Sequence, residues 1–139
     1  MTTDRAARLR DLHVPGKPVI LPNVWDAASA RAVVDAGFPV VATGSAAISR
    51  VLGHDDREAT PVAEMMEVIA RIARSVDVHV TADVGGPVNV FFRPGLPSFA
   101  RLAELGVARV SFGDGLHRVV HDHARALFQA IAEGRDPYR

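Results

Sequence analysis

Short apolar runs alternate along the chain with longer segments of helical periodicity. Runs rich in Val and Ile, typical of buried parallel strands, occur at 19–21, 40–43, 78–84, 88–92 and 109–112. The first, second, fourth and fifth runs are each followed by apolar residues spaced three or four positions apart, as on one face of a helix. The resulting order, βα, βα, β, βα, βα, predicts an α/β fold of parallel strands with functional loops at the strands' carboxyl ends.

Proline, glycine and capping residues mark the predicted helix boundaries. Residues 4–13 have helical spacing, and the Pro-Gly-Lys-Pro run at 15–18 ends that leading helix. Gly37 closes the next predicted helix, and the Gly-Ser-Ala segment 44–46 is expected to form a loop. Thr60 is expected to cap the following helix, with the next proline as its first residue. The predicted buried residues of that helix are Val62, Met65, Met66, Ile69 and Ile72.

The connection between the third and fourth predicted strands is too short for a parallel crossover. Four residues separate Asp83 from Val88, whereas a parallel crossover needs about a dozen or more. The two strands therefore cannot be parallel neighbours within one chain. Either the chain reverses in a Gly-Gly hairpin, which makes the fourth strand antiparallel, or it continues extended. We expect the extended form to keep all loops at one end only where two chains share the barrel.

Composition favours one soluble domain. The 139 residues, 48% of them hydrophobic, suit a single domain over 1–139. Sixteen basic and sixteen acidic residues cancel, which argues against nucleic-acid or membrane partners and favours a small ligand. The absence of cysteine excludes disulfides, thiolate zinc sites and a cysteine nucleophile. A charged, amphipathic start and the lack of a long apolar run predict a cytoplasmic location.

Three segments of the chain are similar to a known family. They are LPNVWDAASARAVVDAGFPVVATGSAAISRVLGHDDRE, VHVTADV and VNVFFRPGLPSFARLAELGVARVSFGDGLHR. They resemble parts of the phosphoenolpyruvate mutase/isocitrate lyase family, especially its carboxyvinyl-carboxyphosphonate phosphorylmutase-like members. That family folds as a TIM barrel, whose eight strands take about 250 residues.

The resemblance implies an incomplete barrel. Residues 1–84 resemble the first three strand units and 87–139 resemble the last two, while the region of strands four to six has no counterpart. About five strands per chain fall short of the eight that close a TIM barrel. We therefore expect self-association, as a homodimer or larger homo-oligomer, to complete or cover the sheet.

The resemblance also implies a chemistry and a site. Family members bind 2-oxo carboxylates or their enolates on Mg²⁺ and make or break the adjoining C–C or P–C bond. A cation chelated by carbonyl and carboxylate oxygens stabilises the enolate that develops. Position by position, the implied metal residues are Asp83 and Asp56, and the implied substrate-binding residues are Trp25, Asp26, Gly44, Ser45 and Ala46. Small residues at 44–46 are also what a tight strand-to-helix turn requires, so both interpretations stay open.

Several catalytic motifs of the family are missing. Val84-Gly85-Gly86 replaces an acidic residue and Gly-Tyr-Gly after the third strand. The downstream metal-linked glutamate, the substrate-binding arginine and the Lys-Lys-Cys-Gly-type loop have no counterpart, so no catalytic residue is assigned. Two functions stay open. One is a Mg²⁺-dependent 2-oxo-acid binder or bond lyase, and the other is a non-catalytic remnant that self-associates or binds a partner protein.

Two further motifs lie near the end of the chain. His117 and His121 are four residues apart on a final helix expected to reach about Glu133. No HExxH-type glutamate accompanies them, so they are interpreted as histidines on an exposed face rather than zinc ligands. The Gly-Asp-Gly segment 113–115 follows the last strand, where TIM barrels often bind phosphate, and it also suits a turn with a helix cap.

Overall fold

The structure, a computed structural model, describes residues 9, 11–54, 60–82 and 89–139. The strands within these ranges are β1 (Val19–Leu21), β2 (Asn23–Val24), β3 (Val40–Thr43), β4 (His79–Ala82), β5 (Asn89–Phe91) and β6 (Arg109–Ser111). The helices are α1 (Ala27–Asp35), α2 (Ser45–Val51), α3 (Val62–Ser75), α4 (Phe99–Glu104) and α5 (Gly115–Ala132). Most of the leading helix predicted over 4–13 lies outside the described residues.

All observed strand pairs are parallel, which confirms the predicted α/β class. One sheet has the order β1-β6-β5 and the other the order β2-β3-β4. Pro22 separates β1 from β2 and has no N–H to donate to a ladder. Its carbonyl still accepts a hydrogen bond from the Ala42 N–H at 3.2 Å. Residues 19–24 thus join the two sheets, and the carboxyl ends of the strands lie along one edge.

The positions of β4 and β5 confirm that these two strands are not neighbours. β4 pairs with β3 and β5 pairs with β6, at opposite outer edges. The hairpin alternative was wrong, because the pairing of Asn89 with Arg109 sets β5 parallel to β6. The expectation that two chains are needed to keep all strand-end loops at one end of the sheet was also wrong. The strands of a single chain are parallel, so their carboxyl ends lie at one end. The connection, residues 83–88, lies outside the described residues.

The largest core cluster lies between the β2-β3-β4 sheet and helices α1, α2 and α3. Its buried members are Val24, Ala30, Val41, Ile48, Val68 and Ile72. The predicted inward face of α3 was partly wrong, because Val62 is 77% exposed, Met66 is also exposed, and Val68 is buried instead. Met65 and Ile69 pack at the margin of the cluster, as predicted. Val68 and Ile72 are four residues apart, so they occupy one side of the helix.

Two helix boundaries differ from the sequence prediction. Thr60 does not cap α3: Pro61 is the N-cap residue, and the Thr60 hydroxyl donates to Ser49 Oγ at 2.7 Å. That bond links α2 to the start of α3, so tertiary contact decides the boundary. The predicted loop at 44–46 was wrong because α2 begins at Ser45. Gly37 does follow the end of α1, with a φ of 89° that favours glycine.

The final helix, α5, ends at Ala132, close to the predicted Glu133. Its buried residues are His117 and Ala130. Several large apolar side chains of α5 are exposed, and we call them the apolar arc of α5: Val119, Val120, Phe128 and Ile131. Within the described ranges, none of the helices has both the length and the apolar character to cross a membrane.

Candidate functional site

Asn23 ties together three loops at the carboxyl ends of the strands. The residue is 1% exposed. Its Oδ1 accepts hydrogen bonds from the backbone N–H groups of Phe112 at 2.7 Å and Gly113 at 2.8 Å, and its Nδ2 donates to the Thr43 carbonyl at 3.4 Å. The loops after β2, β3 and β6 are thereby held together. Sequence reasoning missed Asn23, although an amide inside an otherwise apolar strand segment was an available signal.

Gly44 lies where two of these loops touch. Its N–H donates to the Val24 carbonyl at 3.0 Å. A Cβ at this position would lie 3.2 Å from the Gly113 carbonyl oxygen and 3.4 Å from Asn23 Cβ, which is tight against backbone. The small residue at 44 thus serves a close strand-to-helix turn. Ser45 and Ala46 follow in the first turn of α2, where N–H groups have no acceptor within the helix.

The structure places Trp25 and Asp26 in different surroundings. Asp26 caps α1: one of its carboxylate oxygens accepts from the Ser29 N–H at 2.7 Å, and Ser29 Oγ accepts from the Asp26 N–H at 3.1 Å. This reciprocal capping box accounts for Asp26 structurally. The Trp25 ring instead lies edge-to-face with His117, with centroids 5.0 Å apart. The substrate-binding role of both residues stays a prediction.

An ion-pair cluster joins α2 to the start of α5. The Asp114 carboxylate accepts a hydrogen bond from the Arg50 guanidinium, and Arg118 Nε lies 3.7 Å from Asp114 Oδ2. The Arg50 hydrogen bond holds the pKa of the Asp114 carboxyl below its ordinary value. The Gly-Asp-Gly segment 113–115 is therefore a turn that leads into α5 and pairs with a neighbouring helix.

His117 was predicted to lie on an exposed face of the final helix. That prediction was wrong, because the residue is only 4% exposed. It falls on the inward side of α5, between the Trp25 ring and the ring of His121, whose centroid is 4.1 Å away. Burial lowers the pKa of the His117 imidazole, and the nearby His121 and Arg50 lower it further. Neither ring nitrogen has a hydrogen-bond partner among the described residues.

A pocket of about 290 Å³ opens beside this histidine. It is lined by Arg50, His117, Arg118, His121, Asp122 and Arg125. We call it the arginine–histidine pocket. Sequence reasoning singled out the two histidines but not the arginines, because only the fold brings Arg50 from α2 to the side of α5.

The implied metal residues cannot be placed. Asp56 and Asp83 both lie outside the described residues. Across the residues that the structure does describe, no group of three or more His, Asp or Glu side chains could hold a metal ion. In the sequence, Asp83 directly follows Ala82, the last residue of β4. Ala82 pairs with Thr43, the residue before Gly44.

Solved structures share this fold. A putative phosphonomutase from Burkholderia cenocepacia matches with a TM-score of 0.81 at 22% identity, covering 91% of this chain and 99% of that chain. A phosphoenolpyruvate phosphomutase from Streptomyces platensis subsp. rosaceus matches with a TM-score of 0.68 at 14% identity, covering 94% of this chain and 88% of that chain. A phosphonopyruvate hydrolase in complex with oxalate and Mg²⁺ gives a TM-score of 0.51 at 18% identity, covering 64% of this chain and 30% of that chain.

Sequence comparison identifies the family. An uncharacterized protein of Mycobacterium tuberculosis is 34% identical over 74 residues, which are 53% of this chain and 28% of the relative's length. A family model described as phosphoenolpyruvate phosphomutase matches residues 9–86, more than half of the chain. The match spans β1 to β4, the strands that surround Asn23 and Gly44. This chain therefore belongs to the phosphoenolpyruvate phosphomutase family.

Proposed function

We propose that the chain binds a small 2-oxo carboxylate together with Mg²⁺ at the carboxyl ends of β2, β3 and β4. The observation that supports this most directly is the parallel register of Thr43 with Ala82. Because parallel strands in register end at the same level, β3 and β4 end side by side at Thr43 and Ala82. A structurally similar phosphonopyruvate hydrolase was solved with oxalate and Mg²⁺, a small dicarboxylate and the cation proposed here.

The residues divide into three roles in this proposal. Asp83 and Asp56 would hold Mg²⁺, which supplies a positive charge to oxygens of the bound carboxylate. Backbone N–H groups of Ser45 and Ala46, in the first turn of α2, would donate to that carboxylate. Asn23 acts indirectly, since its hydrogen bonds fix the loops after β3 and β6 around the site.

Replacing Asp83 by asparagine tests the metal role. The change keeps the size of the side chain but removes the negative charge, so we expect Mg²⁺ affinity to fall about 10- to 100-fold while the chain stays folded. Calorimetry with Mg²⁺ and pyruvate, or with Mg²⁺ and oxaloacetate, gives the affinity. Asp35→Asn, an exposed acid at the end of α1, is the matched control. Equal Mg²⁺ affinity in wild type and Asp83→Asn would refute the role of Asp83.

We further propose that bond-cleaving turnover is absent or very slow. Groups that act as a unit lose most of their effect when any one is removed, and the family's glutamate, arginine and Lys-Lys-Cys-Gly-type loop have no counterpart. Steady-state assays with Mg²⁺ and isocitrate, methylisocitrate or phosphonopyruvate should give less than about one turnover per second. A phosphonopyruvate hydrolase assayed in parallel controls for substrate quality. Turnover at or above that rate would contradict the expectation and restore a lyase function.

The exposed arc of α5 favours a second candidate function, self-association. Val120, Phe128 and Ile131 expose large apolar side chains along one side of a helix of 18 residues. Within the described chain, β4 and β5 each pair with one strand only, so both outer edges of the sheet are uncovered there. A second copy of the chain, packed on this arc, would bury apolar surface at little structural cost. This role requires neither Mg²⁺ nor a substrate.

A further inference from the structure

Phe91, the last residue of β5, lies on the inner face of its sheet, opposite the face that α4 covers. Its neighbours Val90 and Phe92 pack on the α4 side, in the core cluster that includes Leu102. Because successive side chains of a strand point to opposite faces, Phe91 shares the inner face with Ser111, its partner in β6. The Phe91 side chain is 45% exposed. It therefore presents apolar surface at the carboxyl ends of the strands.

The Phe91 ring lies against the same loop that Asn23 and Gly44 contact. A Cβ at Gly113 would overlap this ring, so the ring rests directly on the backbone there. The Gly113 N–H donates to Asn23, and a Cβ at Gly44 would lie 3.2 Å from the Gly113 carbonyl oxygen. Gly44 directly precedes Ser45, whose N–H is assigned above to the ligand carboxylate. One residue, Gly113, thus separates the ring from the turn of the proposed ligand site.

The residues in register with Phe91 carry no charge. Leu21, Ser111 and Phe91 align across β1, β6 and β5. Arg109 lies two residues nearer the amino end of β6 and is only 4% exposed, so it offers little surface to a ligand. A second carboxylate of a ligand beside Phe91 would lose hydration without gaining a counter-ion from these residues. An alkyl group there would instead bury its own apolar surface and part of the ring.

We propose that Phe91 determines which 2-oxo carboxylates bind, by contacting the tail of the ligand. The selected class is a 2-oxo monocarboxylate with an aliphatic tail, and a ligand with a second anionic group is disfavoured. This inference rests on the proposed function, because the tail reaches Phe91 only when the carboxylate is held at the 44–46 turn. Phe91 acts through apolar contact alone, so it should change the choice of ligand and not the need for Mg²⁺.

Calorimetry with excess Mg²⁺, at constant ionic strength, tests the proposal with a matched pair of ligands. 2-Oxopentanoate and 2-oxoglutarate have the same carbon chain and differ only in the terminal group, a methyl in the first and a carboxylate in the second. Wild-type protein should bind 2-oxopentanoate at least about tenfold more tightly, since each buried methylene contributes about fourfold and the carboxylate is left unpaired. Pyruvate, whose tail is a single methyl group, reports whether the site forms in each variant.

Phe91→Ala should bring the two affinities to within about threefold of each other, because the apolar contact is lost, and it should still bind pyruvate. Phe91→Leu keeps an apolar side chain and should retain most of the preference. Phe99→Ala is the matched control. It makes the same change at a phenylalanine of similar exposure, 41%, that packs with Phe92 on the α4 side. It should leave the preference unchanged.

The wild-type ratio decides the proposal without any variant. Binding of both probes with no preference for 2-oxopentanoate would overturn this inference and leave the proposed function standing. So would a preference that persists in Phe91→Ala, or one that Phe99→Ala removes to the same extent. No binding of pyruvate or of either probe with Mg²⁺ would overturn both the inference and the proposed function.

Discussion

Replacing Asn23 by leucine should lower the free energy of unfolding by about 2–4 kcal/mol. The change leaves the N–H groups of Phe112 and Gly113 without their acceptor, in a place that leucine keeps closed to water. Each unsatisfied buried donor costs about 1–3 kcal/mol, whereas a lost hydrogen bond at the surface costs much less. Urea-induced unfolding at a fixed protein concentration gives the difference directly.

Gln129→Leu provides the comparison for Asn23→Leu. It makes the same chemical change at an exposed position on α5, where the side-chain amide donates a hydrogen bond to Glu133. Its effect should stay within about 0.5 kcal/mol. If both variants lost the same small amount, the hydrogen bonds of Asn23 would not be holding the three loops together.

Introducing a charge at Phe128 should weaken the self-association proposed above. Phe128 is 68% exposed in the single chain and lies on the apolar arc of α5. An aromatic side chain at the centre of an interface typically contributes 2 kcal/mol or more, so Phe128→Glu should weaken association by at least about 30-fold. Light scattering across micromolar concentrations measures the change in mass.

Gln129→Glu is the control for Phe128→Glu, because it places the same charge on the next residue, which lies on the polar side of α5. It should leave the mass unchanged. A wild-type protein that is monomeric at every concentration would show that α5 needs no second copy. Equal dissociation by the two variants would show that charge, rather than burial of Phe128, controls assembly.

Most of the strands could be predicted because each is a short run rich in Val and other apolar residues, which favours a strand. The runs at 19–21, 40–43 and 109–112 match β1, β3 and β6 to within one residue. The direction of β5 could not be predicted, because it depends on pairing with β6, about 20 residues later in sequence. The burial of α3 was predicted only in part, since apolar spacing does not distinguish Val68 from Met66 when both lie near the apolar side.

The candidate site could be predicted less well than the fold. Gly44 was identified through the family resemblance, and its close contact with Gly113 gives it a structural role. Asn23 and Arg50 were missed because their partners, Gly113 and Asp114, are distant in sequence. His117 was predicted to be exposed because helical spacing alone cannot tell which residues of α5 lie against Trp25.

Pro22 has a consequence for the cooperativity of unfolding. β1, before Pro22, pairs with β6, and β2, after it, pairs with β3. The two sheets therefore share no strand. Each three-stranded sheet could therefore lose its backbone hydrogen bonds while the other kept them. Asn23 opposes such separate opening, because its backbone belongs to one sheet while its side chain holds the loop that leaves the other. One side chain thus helps to couple two potential folding units into one.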